Sequence, residues 1–176
     1  TQRKTLNVTT ATATTFSPTT NVVANTVAII VVSTGGSVLL SSVTDSVGNT
    51  WTVDLAQNSG TPRGVGFASC QVATQIGTGD TITLNWSSAS STEKILWVFE
   101  VTGLATSSVA DQTAVGNGTG TAVATAATGT LSQADEICFG LFRLASSTSW
   151  TKGASYTDPT TPSQGSTTAA EYKIVS

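Results

Sequence analysis

The chain has 176 residues, enough for one domain with a real core, and only 10% of them are charged, against roughly 25% in an average soluble domain. Its net charge of −3, with seven scattered Lys and Arg residues, argues against nucleic-acid binding, which needs clustered cations to neutralise phosphates. Without histidine or a C-x-x-C pair, Ser-His-Asp and Cys-His catalysis and the common zinc sites are excluded, and no run of 18 apolar residues offers a membrane-spanning helix.

Thr and Ser make up about a third of the chain. Thr favours strands through its branched Cβ and Ser favours turns, and no window carries the i, i+3, i+4, i+7 pattern of an amphipathic helix. The expected fold is therefore all-β: a two-sheet antiparallel β-sandwich, jelly-roll or immunoglobulin-like, forming a single domain over 1–176. Residues 1–20 are expected as an extended N-terminal arm or a first strand. The opening TQRKTLNVTT lacks the apolar segment of a signal peptide, and the chain contains no Met, so an upstream part is expected to have been removed.

In chain order the expected strands are 5–15, 24–33, 38–45, 50–57, 63–76, 81–88, 94–103, 107–114, 121–130, 135–145 and 168–176. Turn chemistry separates them at STGG (33–36), NSGTP (58–62), GTGD (77–80), GNGTG (116–120) and DPTTPSQG (158–165). The low-complexity stretch VGNGTGTAVATAATGTL (115–131) reads as a flat strand on its Val and Thr content. TITLNWSS alternates cleanly, with Ile82, Leu84 and Trp86 on one face. VAIIVV (27–32), KILWVFEV (94–101) and EICFGLFRL (136–144) are apolar on both faces. Their second faces must be covered by loops of the same chain or by another subunit. Ile30, Val32, Leu96, Val98, Phe142 and Leu144 are the candidate assembly surface.

SSVTDSVGNTWTVDL (41–55) concentrates Asp45, Asn49 and Asp54. Read as a hairpin, Val43, Val53, Leu55 and Trp51 share a core face only if the loop is odd in length. Val43 then opposes Val53 and Asp45 opposes Trp51 across a three- or five-residue loop centred on Gly48, and in the three-residue form Asn49 takes the left-handed position. This register puts Asp45 and Asp54 on opposite faces, so Asp45 is expected to brace the turn by accepting backbone N–H groups. A calcium site using Asp45 and Asn49 is the weaker alternative.

SVTDSVGNTWT, followed by GDTITLNW, WVFEVTGL and ADEICFGLF, resembles a β-sandwich module of phage minor tail and other virion proteins and of large bacterial surface and secreted proteins. The resemblance runs from about Val22 onward, on hairpin and core motifs that identify a fold better than a function. It implies an extracellular or virion-borne sandwich without catalysis of its own and brings no catalytic residues. Members of that family continue past the equivalent of EYKIVS into further strands. Either this chain is trimmed or a neighbouring chain completes the sheet by strand addition.

A carboxylate pair is the remaining catalytic option, with Glu93, Glu100, Asp135, Glu136 and Glu171 as candidates and Glu100 foremost, beside Leu96 and Val98. The structural reading places Glu100 near a strand end, paired with Arg143, Lys94 or backbone. Trp86 and Trp97 read as core. Trp150 and Tyr156, in polar sequence, form a candidate glycan platform. Cys70 and Cys138 read as small buried thiols, with a disulfide as the alternative. The sequons at Asn7, Asn85 and Asn117 are near chance in a chain so rich in Ser and Thr.

The function expected from these features is a non-enzymatic structural subunit of an extracellular or virion assembly, such as a phage capsid decoration or tail/fibre protein. It would act by burying apolar strand faces and edges between copies, as a homo-oligomer or part of a larger particle. A carbohydrate-binding or adhesion module contacting cell-surface glycan is the alternative, and a polysaccharide-active enzyme using Glu100 comes third. No cofactor, nucleic acid or membrane partner is implied.

Overall fold

The computed structural model describes residues 1–9, 12–58, 63–105, 107–118, 122–147, 149–159 and 167–176. The expected turns at 58–62 and 158–165 lie mostly outside these residues, and that at 116–120 partly so. No helix occurs among the described residues. Ten strands form: β1 (Gln2–Val8), β2 (Ala13–Phe16), β3 (Val27–Thr34), β4 (Leu40–Asp45), β5 (Trp51–Asn58), β6 (Gly64–Gln71), β7 (Ile82–Trp86), β8 (Lys94–Val101), β9 (Glu136–Arg143) and β10 (Thr168–Val175). They make a five-stranded sheet in the order β1-β8-β3-β6-β5, a three-stranded sheet β2-β7-β4 and the hairpin β9–β10. Every pairing is antiparallel. The chain crosses between the two larger sheets at each step from β1 to β5, forms the β5–β6 hairpin, then crosses to β7 and back. β8 thereby lies between β1 and β3, the winding of a jelly roll.

The strands with two apolar faces explain the third layer. Along β3 and β8 successive side chains point to opposite faces. Ala28, Ile30, Val32, Leu96 and Val98 enter the core between the two sheets, facing Ile82, Leu84 and Trp86. Val27, Ile29, Val31, Ile95, Trp97 and Phe99 point the other way into a second core. That second face is covered by β9–β10, which lays Phe139, Leu141, Ala170 and Tyr172 over it. The Phe99 ring lies 5.1 Å from Phe139 and 5.9 Å from Tyr172. Burying each such side chain contributes about 1.5–3 kcal/mol.

Polar contacts fasten the hairpin. The Ser33 and Thr168 hydroxyls are hydrogen-bonded at 2.8 Å in the interior, and Arg143 donates to Glu93 Oε2 at 3.0 Å and to Thr168 Oγ1 at 2.8 Å. Arg63 donates to the carbonyls of Leu144 and Ala145. The hairpin's outer face is covered in turn by residues 149–159. Trp150 stacks on Phe142 at 5.0 Å, Gly153 N donates to Glu171 at 2.7 Å, and Thr157 bridges to Tyr172.

The candidate assembly surface is corrected accordingly. Ile30, Val32, Leu96 and Val98 are at most 1% exposed, sealed between the two sheets of the same chain. Phe142 lies under Trp150, and Leu144 is partly exposed beyond the end of β9. The apolar second faces are covered by the chain itself rather than left for a neighbour.

Two expected strands are absent. Residues 107–114 and the described part of 121–130 are irregular and largely exposed, with Ala126 N reaching the Val115 carbonyl at 3.3 Å as a loose return. Their Ala, Gly and Thr side chains offer too little apolar area to hold a ladder against a core. At the other end, the N-terminal twenty residues supply β1 and β2 rather than a free arm. β1 is held by the Arg3–Glu100 ion pair and by Thr1, whose ammonium donates to the Glu100 carbonyl at 2.6 Å.

The 41–55 stretch is an arch between sheets and not a hairpin: β4 pairs with β7, while β5 pairs with β6. The expected pairs Val43–Val53 and Asp45–Trp51 therefore do not form. Gly48, at φ +84°, supplies the left-handed residue instead of Asn49. Asn49 instead receives the amides of Ala73 and Thr74 on Oδ1 and donates to the Thr74 carbonyl, tying the arch to the segment after β6. Asp45 is the expected brace: Oδ1 accepts Val47 N at 3.1 Å and Asn49 N at 3.0 Å, and Oδ2 accepts the Trp51 indole N–H at 2.8 Å. Its carboxylate faces donors, not the oxygen cage a calcium ion needs.

Candidate ligand cleft

β5 carries a bulge between Val53 and Leu55. A bulge adds a residue to one strand and re-aims the side chains beside it. Val53 packs on the inter-sheet core, as expected, but Leu55 now opposes Phe67 on the outer face of the sheet. Asp54, at the bulge, accepts a hydrogen bond from Ser69 Oγ at 3.1 Å. The β5–β6 end of the outer face thus presents Asp54, Leu55, Phe67 and Ser69 together.

This end is reached by the start of β9, through Ile137 and Phe139, and is otherwise roofed by the connection from β8 to β9. The connection turns at Gly103 (φ +82°) and Ser108 (φ +51°) and drops Leu104 and Val109 into the second core. It is closed on itself where Asp111 accepts Ser132 N at 2.8 Å and shares a side-chain hydrogen bond with Glu136. A cleft of about 450 Å³ remains between this roof and the sheet. A second cavity of about 580 Å³ adjoins it, running from Gly48 and Asn49 past Thr52 and Gln71. Both are lined by Asp54, Ser69 and residues 107–110, which the two cavities share as a common border. Ile29, Leu55, Phe67 and Phe139 give one cleft an apolar floor, while hydroxyls and amides such as Thr52, Gln71 and Gln112 line the rims.

Burial raises the Asp54 carboxyl above its usual range, with the Ser69 hydroxyl partly offsetting it. Desolvation, followed by the neighbouring Asp111, raises Glu136, and Asp111 is lowered chiefly by the Ser132 backbone N–H. Among the described residues no Lys or Arg lines either cavity. No grouping of three or more His, Cys, Asp or Glu side chains suited to a metal occurs among them either.

Of the five carboxylates considered as catalytic candidates, only Glu136 lies in the cleft. Glu100 is buried, paired with Arg3 and accepting Val23 N at 2.8 Å, rather than meeting Lys94 or Arg143. Lys94 donates instead to the carbonyls of Ser90 and Thr92. Burial pulls Glu93 upward, but bonds from Arg143 and Asn7 bring it below its usual value. Glu171 is buried under Gly153, and Asp135 is exposed before β9. Trp150 and Tyr156 do not form an open platform: the Trp150 ring lies on Phe142, and Lys173 Nζ sits 6.0 Å from the Tyr156 ring. Trp86 and Trp97 are core, as expected. Both cysteines are free; burial, aided by Asp45, pushes the Cys70 thiol up to about 12, and burial also raises Cys138.

Sequence reasoning missed Asp54, Ser69, Phe67 and Asp111 as a group. The only local signal was DLAQ following TV, where strict alternation breaks. No family model, no curated protein and no solved structure matches this chain.

Proposed function

We propose that the chain is a non-enzymatic β-sandwich module of an extracellular or virion structure, and that it holds a carbohydrate chain in the cleft beneath residues 107–110. The observation that carries this reading is the pair of adjoining cavities bordered alike by Asp54, Ser69 and residues 107–110, with an apolar floor at Phe67 and Leu55 and hydroxyl and amide rims. Sugar rings present apolar C–H faces and hydroxyl edges, and pockets of a few hundred Å³ with a few convergent polar groups are the usual form of a ligand site. The sequence resemblance supports the extracellular or virion setting.

The test is retention on a panel of immobilised neutral glycans. Ser107→Trp, at an exposed position bordering both cavities, is expected to abolish retention without changing the unfolding temperature. Trp150→Ala is expected to leave retention in place. Retention that survives Ser107→Trp would exclude the cleft, and retention lost in Trp150→Ala would move the site to residues 149–159. A panel that retains nothing would end the carbohydrate reading.

A second reading, a structural subunit joined to neighbours by strand addition, is favoured by one observation. Among the described residues, β10 is paired along its length with β9 alone, apart from the Thr157–Tyr172 bridge, and it carries Ile174 at 72% exposure. Ile174→Lys would then lower the mass of the particle seen by sedimentation. A chain that stays monomeric at every concentration removes this reading.

A further inference from the structure

We infer that the cleft selects its ligand by charge: it takes uncharged oligosaccharides and rejects sulfated, uronic or sialylated ones, with Asp54, which borders both cavities, as the discriminating residue. This rests on the carbohydrate reading above and adds to it the class of sugar.

Three carboxylates, Asp54, Asp111 and Glu136, line the cleft, and no cation faces them among the described residues. Proteins recognise sulfate and carboxylate through Arg forks, Lys or converging N–H groups. Among the described residues, none of the seven basic ones lines either cavity: Lys4 lies on β1, Lys173 Nζ sits 6.0 Å from the Tyr156 ring, and the other five are engaged elsewhere. Arg3 pairs with Glu100, Arg63 holds the Leu144 and Ala145 carbonyls, Lys94 holds those of Ser90 and Thr92, Arg143 pairs with Glu93, and Lys152 donates to the Tyr156 carbonyl.

Asp54 is the critical group because it borders both cavities. Among the described residues its carboxylate accepts a hydrogen bond from Ser69, and burial already disfavours its charged form. An anion placed beside it would be repelled in a partly water-excluded space, where charge–charge terms are several times larger than in bulk water. A neutral sugar hydroxyl can instead donate to the free carboxylate oxygen.

The experiment uses the full chain at low, fixed ionic strength. Calorimetry measures maltohexaose, cellohexaose and chitohexaose against their sulfated derivatives and hexagalacturonate. The expected result is that at least one neutral hexamer binds and its sulfated form binds at least about tenfold more weakly. Asp54→Asn, with Asp54→Ser as a second variant and both checked by thermal unfolding, is expected to narrow that ratio. A sulfated hexamer or hexagalacturonate binding as tightly as the best neutral hexamer overturns the charge inference and leaves carbohydrate binding standing. A ratio unchanged in both folded variants overturns the role of Asp54. If no hexamer of either kind binds, this inference and the carbohydrate reading fall together.

Discussion

The two faces of the five-stranded sheet are closed by different means. The inner face meets another sheet, β2-β7-β4, and the facing side chains interlock into a dry core in which Ile30, Ile82, Leu84 and Leu96 are fully buried. The outer face is closed half by the β9–β10 hairpin and half by the irregular chain between β8 and β9. A ladder brings its side chains in at fixed spacing and fills the space; irregular chain of Ala, Ser and Thr does not. The difference is the cleft, and two of the carboxyls whose titration burial or desolvation raises, Asp54 and Glu136, lie in it.

The largest effects should separate these closures. Ile30→Ala or Leu84→Ala, in the inner core, is expected to lose about 2–5 kcal/mol in urea unfolding. Val109→Ala, under the irregular roof, should lose less than half as much. Equal losses would mean that the roof is packed as tightly as a sheet. Next comes the contrast between two aspartates. Asp45→Ala strips acceptors from two backbone amides and an indole N–H and is expected to cost about 1–3 kcal/mol. Asp54→Asn, which keeps a partner for Ser69, should stay within about 0.5 kcal/mol of the wild type.

Much of the inner face was legible in sequence, and the outer face was not. Alternation in TITLNW placed Ile82, Leu84 and Trp86 correctly, because a period of two against one core has a single solution. The two-faced runs at 27–32 and 94–101 correctly demanded a covering layer, although nothing in them says whose chain provides it. The arch at 41–55 kept its brace, since Asp45 acts within six residues of itself. It lost its register because pairing is decided by which sheet β5 joins, and that is a long-range choice. Leu55 and the cleft depend on a bulge at Asp54 that no local propensity marks. The stretch 107–130 failed as strand because Val and Thr fit a pleated surface only when a core lies beneath it.

The attachment of the outer layer gives a smaller effect. Ser33→Ala removes a buried hydroxyl from Thr168 and is expected to cost about 1 kcal/mol. Amide exchange should quicken in β9–β10 and not in β2, β7 or β4. Uniform quickening would make the hairpin part of the same cooperative unit as the inner sandwich.

The smallest effect is electrostatic and bears on the cleft itself. The folded chain holds the Asp54 proton above the ordinary value of 3.8, where the unfolded chain has already released it. In that window the folded state binds more protons, so this group makes stability fall as pH rises. Glu93 acts oppositely: its carboxyl is held below 4.5 by Arg143 and Asn7, so its contribution is present above that value and is lost as pH falls through the folded value. Urea midpoints measured from about pH 3 to 6 should therefore show a shallower upper decline in Asp54→Asn, the remainder coming from Glu136, and a smaller acid-side loss in Glu93→Gln, the remainder coming from Asp111. Because Glu93 anchors the hairpin through Arg143 and Asp54 faces the gap the hairpin leaves, the two variants titrate the closed and open halves of one face. A decline as steep in Asp54→Asn as in the wild type would assign it to Glu136 or another carboxyl and remove Asp54 from the electrostatic difference between those halves.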